Sequence, residues 1–459
     1  MWNLIVEHVS IVVGFLLAVL FMGFVVRQRR SSQATSAWLL IIFLAPYVGV
    51  PLYFAFGGRK SRRAARGKQK LELTMKDTVP AERASVADRF LRSYGLPGAT
   101  EGNTITLCAD GEEAYARLIQ LIDQARESIF VMTFILGGDP VGRSIVEALA
   151  RRAAEGVTVR LLMDGVGCMW TPKRMLAPLR AAGGRYAFFV PILHRPFRGL
   201  TNLRNHRKIA VSDERLVLAG GTNLAQEYMG PAPLPGRWKD VTFLLEGPAA
   251  DHYAEIFRHD WKFASREDLT LHPEREEAVS GGERAQVVPS GPDVAGDPIY
   301  DAILASLYTA QRRFWIVTPY FVPDEALATA FRAAARRGID LRVLVPGVSN
   351  HRLADLARGT YLREIQDMGG KVLLYGGGMV HAKAALVDDD FVYIGSANLD
   401  LRSLFLNYEV ALFAYGPGAV RSMEQWMERL FAGCEEQMKP PGLWKETLEG
   451  LARTLDPLL

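Results

Sequence analysis

HRKIAVSDERLVLAGGTN, residues His206–Asn223, recurs in outline as HAKAALVDDDFVYIGSAN at His381–Asn398. Each copy places a Lys two residues after its His, an Asp seven after it, Gly-Gly or Gly-Ser at fourteen and fifteen, and an Asn at seventeen. In an extended segment side chains alternate, so His206 and Lys208 share one face while Arg207 and Ile209 take the other, and the same holds for His381 and Lys383. The apolar runs Leu216–Ala219 and Phe391–Ile394 predict paired strands that end in Gly-rich turns, where small residues let Asn223 and Asn398 approach the same pocket. Two copies facing each other supply two imidazoles, two ammoniums and two amides. That set suits a phosphodiester. Transfer at phosphorus needs a nucleophile, an acid for the leaving group and fixed positive charge around the non-bridging oxygens. Lys208, Lys383, Asn223 and Asn398 are the candidate phosphate-binding groups, with no metal or cofactor required. The histidines divide the proton and nucleophile roles.

The duplication extends beyond the motif. Lys239-Asp240-Val241 to Gly247-Pro248 parallels Tyr408-Glu409-Val410 to Gly416-Pro417, which nominates Asp240 and Glu409 as the acids that orient the imidazoles. Asp213 and Asp388 complete the motif and join His206, Lys208, His381 and Lys383 in the candidate catalytic set. Their position on an ideal strand faces away from the His and Lys, which suits anchoring a loop better than direct chemistry. GVTVRLLMDG at Gly156–Gly165 and GIDLRVLVPG at Gly338–Gly347 are further copies. Helical patterns over Ala114–Arg126 and Gly142–Glu155 alternate with strands Ser128–Phe134 and Thr158–Met163. The second half repeats this with helices Ile299–Arg312 and Glu325–Arg337 and strands Phe314–Thr318 and Asp340–Val345. The fold class is α/β: two tandem sandwich domains related by a pseudo-twofold, 103–266 and 285–459, joined by a polar connector over 267–284.

These residues resemble the phospholipase D superfamily and, within it, the bacterial cardiolipin synthases. RNHRK at Arg204–Lys208, GGTNLAQEY at Gly220–Tyr228, TPYFVPDE at Thr318–Glu325, GSANLDLRS at Gly395–Ser403 and LNYE at Leu406–Glu409 carry the narrower match. The resemblance implies transfer of a phosphatidyl group from one phosphatidylglycerol to another through a phosphatidyl-histidine, and it favours His206 as the nucleophile. The alternative is a phosphodiesterase of the same superfamily acting on lipid or nucleic acid, with water as acceptor. Phosphatidylglycerol and anionic membrane lipid are the expected partners, and no nucleic acid is expected. The strand Ile129–Phe134 and the following Ile135–Asp139 depart from the family's pattern by lacking its acidic and aromatic residues, which bears on the acceptor. Tyr320 and Phe321 either border the pocket or pack in the core.

A chain of 459 residues with 23% charged residues accommodates two cores plus an anchor. Leu4–Val26 and Trp38–Phe56 are apolar and near the ~20 residues that span a hydrocarbon core, predicting a transmembrane hairpin over 1–57. Pro46 and Pro51 also permit a kinked or re-entrant second segment. A cleaved signal peptide is the competing reading, against which stand the missing basic start and the second apolar stretch. The net charge is only +4, but Arg59, Lys60, Arg62, Arg63, Arg66, Lys68 and Lys70 crowd one juxtamembrane stretch within 58–102. They outnumber Arg27, Arg29 and Arg30 of the connecting loop, which directs the catalytic halves to the cytoplasmic side of a bacterial inner membrane. The basic run either lies on anionic headgroups or is a solvated, topology-setting linker. Cys108, Cys168 and Cys434 lack metal-ligand spacing and read as reduced thiols. Gly442–Leu459 reads as an amphipathic helix that is either a packing element or a foot on the membrane.

Overall fold

The protein, seen in a computed structural model, is described over residues 2–27, 32–56, 68–74, 79–80, 82–190, 203–271, 281–436, 438 and 440–455. The Arg59–Arg66 part of the basic run, Arg29 and Arg30, most of the connector (272–280) and the tail beyond Leu455 lie outside these residues.

Seven strands come from the first half: β1 (Thr100–Cys108), β2 (Ser128–Thr133), β3 (Thr158–Asp164), β4 (Arg185–Phe189), β5 (Ile209–Ser212), β6 (Leu216–Gly220) and β7 (Thr242–Glu246). The second half gives β8 (Glu283–Ser290), β9 (Arg313–Val317), β10 (Phe321–Val322), β11 (Asp340–Pro346), β12 (Lys371–Tyr375) and β13 (Ala384–Val387). It continues with β14 (Phe391–Gly395), β15 (Leu399–Asp400), β16 (Glu409–Ala414) and β17 (Cys434–Glu436). All but β10 and β15, which pair with each other, form one sheet of fifteen strands. Outward from the central β1–β8 pair the order is β7-β6-β5-β2-β3-β4 on one side and β16-β14-β13-β9-β11-β12 on the other, with β17 at the edge. The same succession in both directions is the duplication made physical. Instead of two separate sandwiches, one sheet runs through both halves, because β1 and β8 pair antiparallel across the junction.

Helices cover both faces. Those used below are α1 (Trp2–Val26), α2 (Ser32–Leu44), α3 (Pro46–Phe56), α4 (Val86–Arg92), α5 (Gly111–Gln124), α6 (Pro140–Ala154), α7 (Ala177–Ala181), α8 (Ala250–Ser265), α9 (Pro298–Thr309) and α10 (Glu325–Arg336). The chain closes with α11 (Arg352–Asp367), α12 (Leu401–Phe405), α13 (Pro417–Phe431) and α14 (Leu443–Leu455). The core under α8 and α13 is continuous across the two halves, running from Phe257 and Trp261 to Met423 and Trp426. On the other face α5 and α6 cover the first half and α9 and α10 the second, each over its own core. Asp110, Asp139 and Asp324 cap α5, α6 and α10 through their side chains, which fixes where these helices start. The predicted helices and strands of both repeats fall on these elements, with ends shifted by a few residues.

The N-terminal region differs from the simplest expectation. The second apolar stretch is broken at Ala45 into α2 and α3, of 13 and 11 residues, and Pro51 lies inside α3. At ~1.5 Å per residue each is shorter than the ~30 Å hydrocarbon core. Among the described residues no helix is long and apolar enough to cross a membrane. Trp38, Ile42, Val50 and Tyr53 pack with Ala18 and Val25 of α1, so the three helices form a small apolar bundle.

Lys68 corrects the reading of the basic run. Its side chain is not on the surface but buried in a charge cluster behind the first motif. The ammonium donates to Asp260 and, at 2.7 Å, to Asp293, and it lies 4.2 Å from the centre of the Tyr408 ring. Arg207 enters the same cluster from the motif strand, donating to both oxygens of Asp260 at 2.9 and 2.8 Å. The chain thus ties its juxtamembrane stretch to the back of the catalytic motif. His259, Asp260 and Asp293 have ligand atoms close enough to hold a metal, but Lys68 and Arg207 already neutralise the two carboxylates. Lys68→Met should destabilise the fold by about 3–5 kcal/mol, because it leaves buried carboxylate charge uncompensated. Denaturation in detergent against the parent protein measures this, and a loss under about 1 kcal/mol would refute the assignment.

Candidate active site

The His206–Lys208 segment is extended but lies just before β5, outside the ladder. Its register is set by the other half of the chain. The backbone N–H of His206 donates to the carbonyl of Tyr408 at 2.9 Å, and that of Tyr408 donates to Arg204 at 2.9 Å. The second motif is held reciprocally: His381 N–H donates to Lys239 O at 2.6 Å, and Lys239 N–H to Met379 O at 2.8 Å. Tyr408 and Lys239 immediately precede the two nominated acids. Each motif therefore meets the acid of the opposite half.

The side chains follow this crossing. His381 Nδ1 lies 2.6 Å from Asp240 Oδ2, and His206 Nδ1 lies 3.1 Å from Glu409. His206 Nδ1 also faces the Ser396 carbonyl at 3.0 Å. A carboxylate at Nδ1 holds the proton there and leaves Nε2 as the reactive nitrogen. Glu409 is itself fixed by the Ser396 hydroxyl and by the Asn407 amide at 3.3 Å. Asp240 has a different neighbour at the matching position. A side chain on Gly221 would put its Cβ 2.2 Å from Asp240 Oδ1, so the glycine makes room for the acid where the second copy has a serine that donates to it.

The pocket is buried, and its electrostatics follow from that. Burial, Lys383 and Lys208 lower the His381 pKa to about 3 against the opposing pull of Asp240. Burial also lowers His206, with Glu409 opposing. Lys208 is pushed down to about 7 and Lys383 to about 8, in each case chiefly by burial. Burial raises Asp240 and Glu409, but Lys383 and His381 outweigh it for the first, and His206 with Lys208 for the second, so both stay below the usual carboxylate range. These shifts favour neutral imidazoles between ionised carboxylates. An anionic phosphodiester would favour protonation of the lysines and of one imidazole.

Opposite pH responses follow for activity and stability. With Lys208 and Lys383 near 7 and 8, kcat/KM should fall as pH rises through 7–8, since the ammonium charge that receives the phosphate is lost. The basic limb of kcat should lie higher, because bound phosphate pairs with the ammonium. Stability runs the other way. The unfolded lysines keep their protons up to about 10.5, so between about 7 and 10.5 the unfolded state binds more protons and stability rises with pH. Rate profiles and denaturation at the same pH values test both signs.

Asp213 and Asp388 are not at the reacting centre, which corrects their inclusion among the catalytic residues. Asp213 accepts from the backbone N–H groups of Arg126, Glu127 and Ser128 at 2.7–3.1 Å, and Asp388 from those of Gln311, Arg312 and Arg313 at 2.8–2.9 Å. Both have positive φ, 49° and 48°, at the tight turns after β5 and β13. They pin the start of β2 and β9 to the motif hairpin. The physical reason is the alternation of the strand, which carries the seventh residue away from the His-Lys face.

Asn223 and Asn398 occupy equivalent turns. Asn223 Oδ1 accepts from Ile135 N–H at 3.2 Å. Asn398 lies 3.2 Å from the Ser403 hydroxyl through Nδ2, and its Oδ1 is buried with no hydrogen-bond partner among the described residues. Lys208 Nζ rests on its own His206 carbonyl at 2.5 Å, and Lys383 Nζ lies 2.8 Å from His381 Nδ1 and 3.1 Å from Nε2.

Three aromatic rings wall the imidazoles, and sequence reasoning assigned none of them. Phe134 meets His206 edge-on with centroids 4.9 Å apart, while Tyr228 and Trp238 lie 5.0 and 5.6 Å from His381. Phe134 directly follows β2, in the segment that departs from the family's pattern. Tyr228 and Trp238 reach His381 through the crossing of halves and Phe134 reaches His206 within the first half, contacts that no local spacing encodes; only the Tyr of GGTNLAQEY, within a family stretch, hinted at one of them.

Two buried imidazoles, each backed by a carboxylate and accompanied by a buried lysine, define the phospholipase D class of phosphodiester-transfer folds. The backbone agrees: phosphatidylserine synthase of Haemophilus influenzae Rd KW20 shares the fold at a TM-score of 0.59 and 16% identity, over 81% of this chain and 97% of that one. Within this class the chain belongs to the cardiolipin synthase family with phospholipase D-like domains. The family described as "Cardiolipin synthase, PLD-like domain" matches residues 118–261 and 303–431, and "Phospholipase_D-nuclease N-terminal" matches 15–58. Cardiolipin synthase 1 of Bacillus anthracis is 33% identical over 94% of this chain and 90% of its own length. The major cardiolipin synthase ClsA of Bacillus subtilis (strain 168) is 32% identical over 98% of each.

Proposed function

We propose that the protein transfers a phosphatidyl group from one phosphatidylglycerol to the hydroxyl of a second, giving cardiolipin and glycerol. The observation that carries this is the crossed pair His206–Glu409 and His381–Asp240 in one buried basic pocket, in a chain similar over nearly its whole length to cardiolipin synthases. His206 Nε2 attacks phosphorus, the P–O bond to glycerol breaks, and protonated His381 gives its proton to the departing oxygen. The hydroxyl of the second lipid then loses its proton to His381 and attacks the phosphatidyl-histidine, releasing His206. Lys208, Lys383 and the two Asn amides neutralise the non-bridging oxygens in both steps.

The N-terminal bundle supports a membrane location. Val9, Phe15, Leu16 and Leu20 of α1 and Leu40, Phe43 and Leu44 of α2 face outward, an apolar exterior suited to lipid. We place the bundle in the inner membrane and the catalytic halves on the cytoplasmic side, where the basic juxtamembrane stretch directs them.

Purified protein incubated with phosphatidylglycerol alone, followed by separation of the lipids, tests the reading. Cardiolipin with an equal amount of glycerol supports it. Phosphatidic acid as the main product would make the protein a hydrolase.

A further inference from the structure

Helix α14 packs one face on the protein and exposes apolar side chains along the other. On the bound side Glu449 is buried and takes the guanidinium of Arg363, Arg453 donates to Glu364 at 2.6 Å, and Ala452 packs with Val322, Ala354 and Ala357. Along the other side run Leu443, Trp444, Leu448 and Leu451, which are 82%, 84%, 52% and 58% exposed. Trp444, Leu448 and Leu451 follow a helical four-three spacing and form one stripe.

We propose that this stripe docks on the lipid bilayer surface and holds the mouth of the active site against the leaflet that supplies the substrate. Three observations favour lipid over a protein partner. First, α14 touches α2, whose outward Leu40, Phe43 and Leu44 continue the apolar surface from the N-terminal bundle. Second, α14 adjoins the site: Ala452 packs with Val322 of β10, and β10 pairs with β15, which begins directly after Asn398.

Third, topologically equivalent loops in the two halves expose apolar side chains beside the site. After β11 the chain exposes Val348 and, at the start of α11, Leu353. After β3, the strand equivalent to β11 in the sheet, it exposes Met169 and Trp170. The β3 loop is fastened to the pocket wall, since Cys168 Sγ bonds the carbonyl of Phe134, the ring that packs on His206. The β11 loop is fastened to the residue before β10, the Tyr320 hydroxyl donating to Asn350 at 2.7 Å. Exposed tryptophans with an apolar body and a polar N–H suit the headgroup boundary. A diacyl substrate could then offer its phosphate to the imidazoles while its chains stay among other lipids.

This inference rests on the phosphatidyl-transfer reading, but its test is separable from it. The full chain is reconstituted in phosphatidylglycerol vesicles carrying lipid brominated high on the acyl chain, and fluorescence is compared with that of Trp444→Phe. The difference between the two reports Trp444 alone and needs no turnover. Quenching of that difference by the brominated lipid, with shielding from aqueous acrylamide, is the expected result. Quenching by acrylamide alone, or by neither agent together with dimers in detergent, assigns the stripe to water or to a second copy and overturns the proposal. In the triple variant Trp444→Ser, Leu448→Ser, Leu451→Ser, turnover on vesicles should fall about tenfold, with turnover of a monomeric short-chain phosphatidylglycerol unchanged. An equal fall on both substrates, or none on either, would also overturn it. A protein that makes no cardiolipin but shows the lipid quench would sink the activity and leave the docking face standing.

Discussion

His206→Ala is expected to lower kcat by about 10⁴-fold or more for every phosphatidyl donor, because in the proposed mechanism the covalent bond to phosphorus forms at that imidazole. His381→Ala should behave differently once the leaving group is changed. Glycerol needs a proton as it departs, so the variant is slowed by about 10²–10⁴-fold on phosphatidylglycerol. An aryl phosphodiester donor releases its phenolate without that proton. The first step then proceeds, the second stalls for want of a base, and phosphatidyl-His206 accumulates. A burst of one phenolate per active site from His381→Ala, with the label on the peptide containing His206, is the predicted signature. A burst from His206→Ala with the label on His381 would exchange the two roles. Both rings are buried and each has its own carboxylate, so burial alone does not separate nucleophile from proton carrier.

Asp240→Asn should lower kcat by about 10³-fold while leaving the fold intact, a loss comparable to other disruptions of a carboxylate–imidazole pair. The carboxylate 2.6 Å from His381 Nδ1 accepts the proton held there and stabilises the imidazolium that forms in the first step. An amide keeps the size, but it removes the charge and can present a donor to a nitrogen that must itself donate. Losing Asp240 removes an influence that raises the His381 pKa, so this imidazole should titrate still lower. His206 should be almost unmoved. Glu409→Gln should do the converse. Imidazole NMR of the two variants distinguishes crossed pairing from pairing within each half. The double variant Asp240→Asn, His381→Ala should be no slower than His381→Ala alone, as residues acting as one unit require.

The duplication was legible because it is written in residue types at fixed spacing. His, Lys and Asn recur at the same offsets, and the helix and strand patterns recur around them, so both repeats and most of their elements follow from periodicity alone. Asp240 and Glu409 could be nominated by aligning the copies. The role of Asp213 and Asp388 was half legible: strand alternation turned them from the pocket, but the three backbone N–H groups each one receives come from a segment more than seventy residues away. Lys68 illustrates the limit of composition. Seven cations in one stretch predict a surface, yet this one found two buried carboxylates, at Asp260 and Asp293, that no local pattern could reveal.

By itself the sequence determined the repeat, the inventory of phosphate-handling groups and the apolar N-terminal stretches, since each depends on local spacing or local hydrophobicity. The tertiary structure alone decided which acid serves which histidine. Pairing β1 with β8 makes one sheet of two halves and brings Tyr408 and Lys239 onto the opposite motif strands. Each carboxylate thereby arrives at an imidazole from the other half of the chain, and burial of the whole set brings the lysines down to about 7 and 8. Partner choice and pKa depend on distance and desolvation between residues remote in the chain, and those quantities exist only once it has folded.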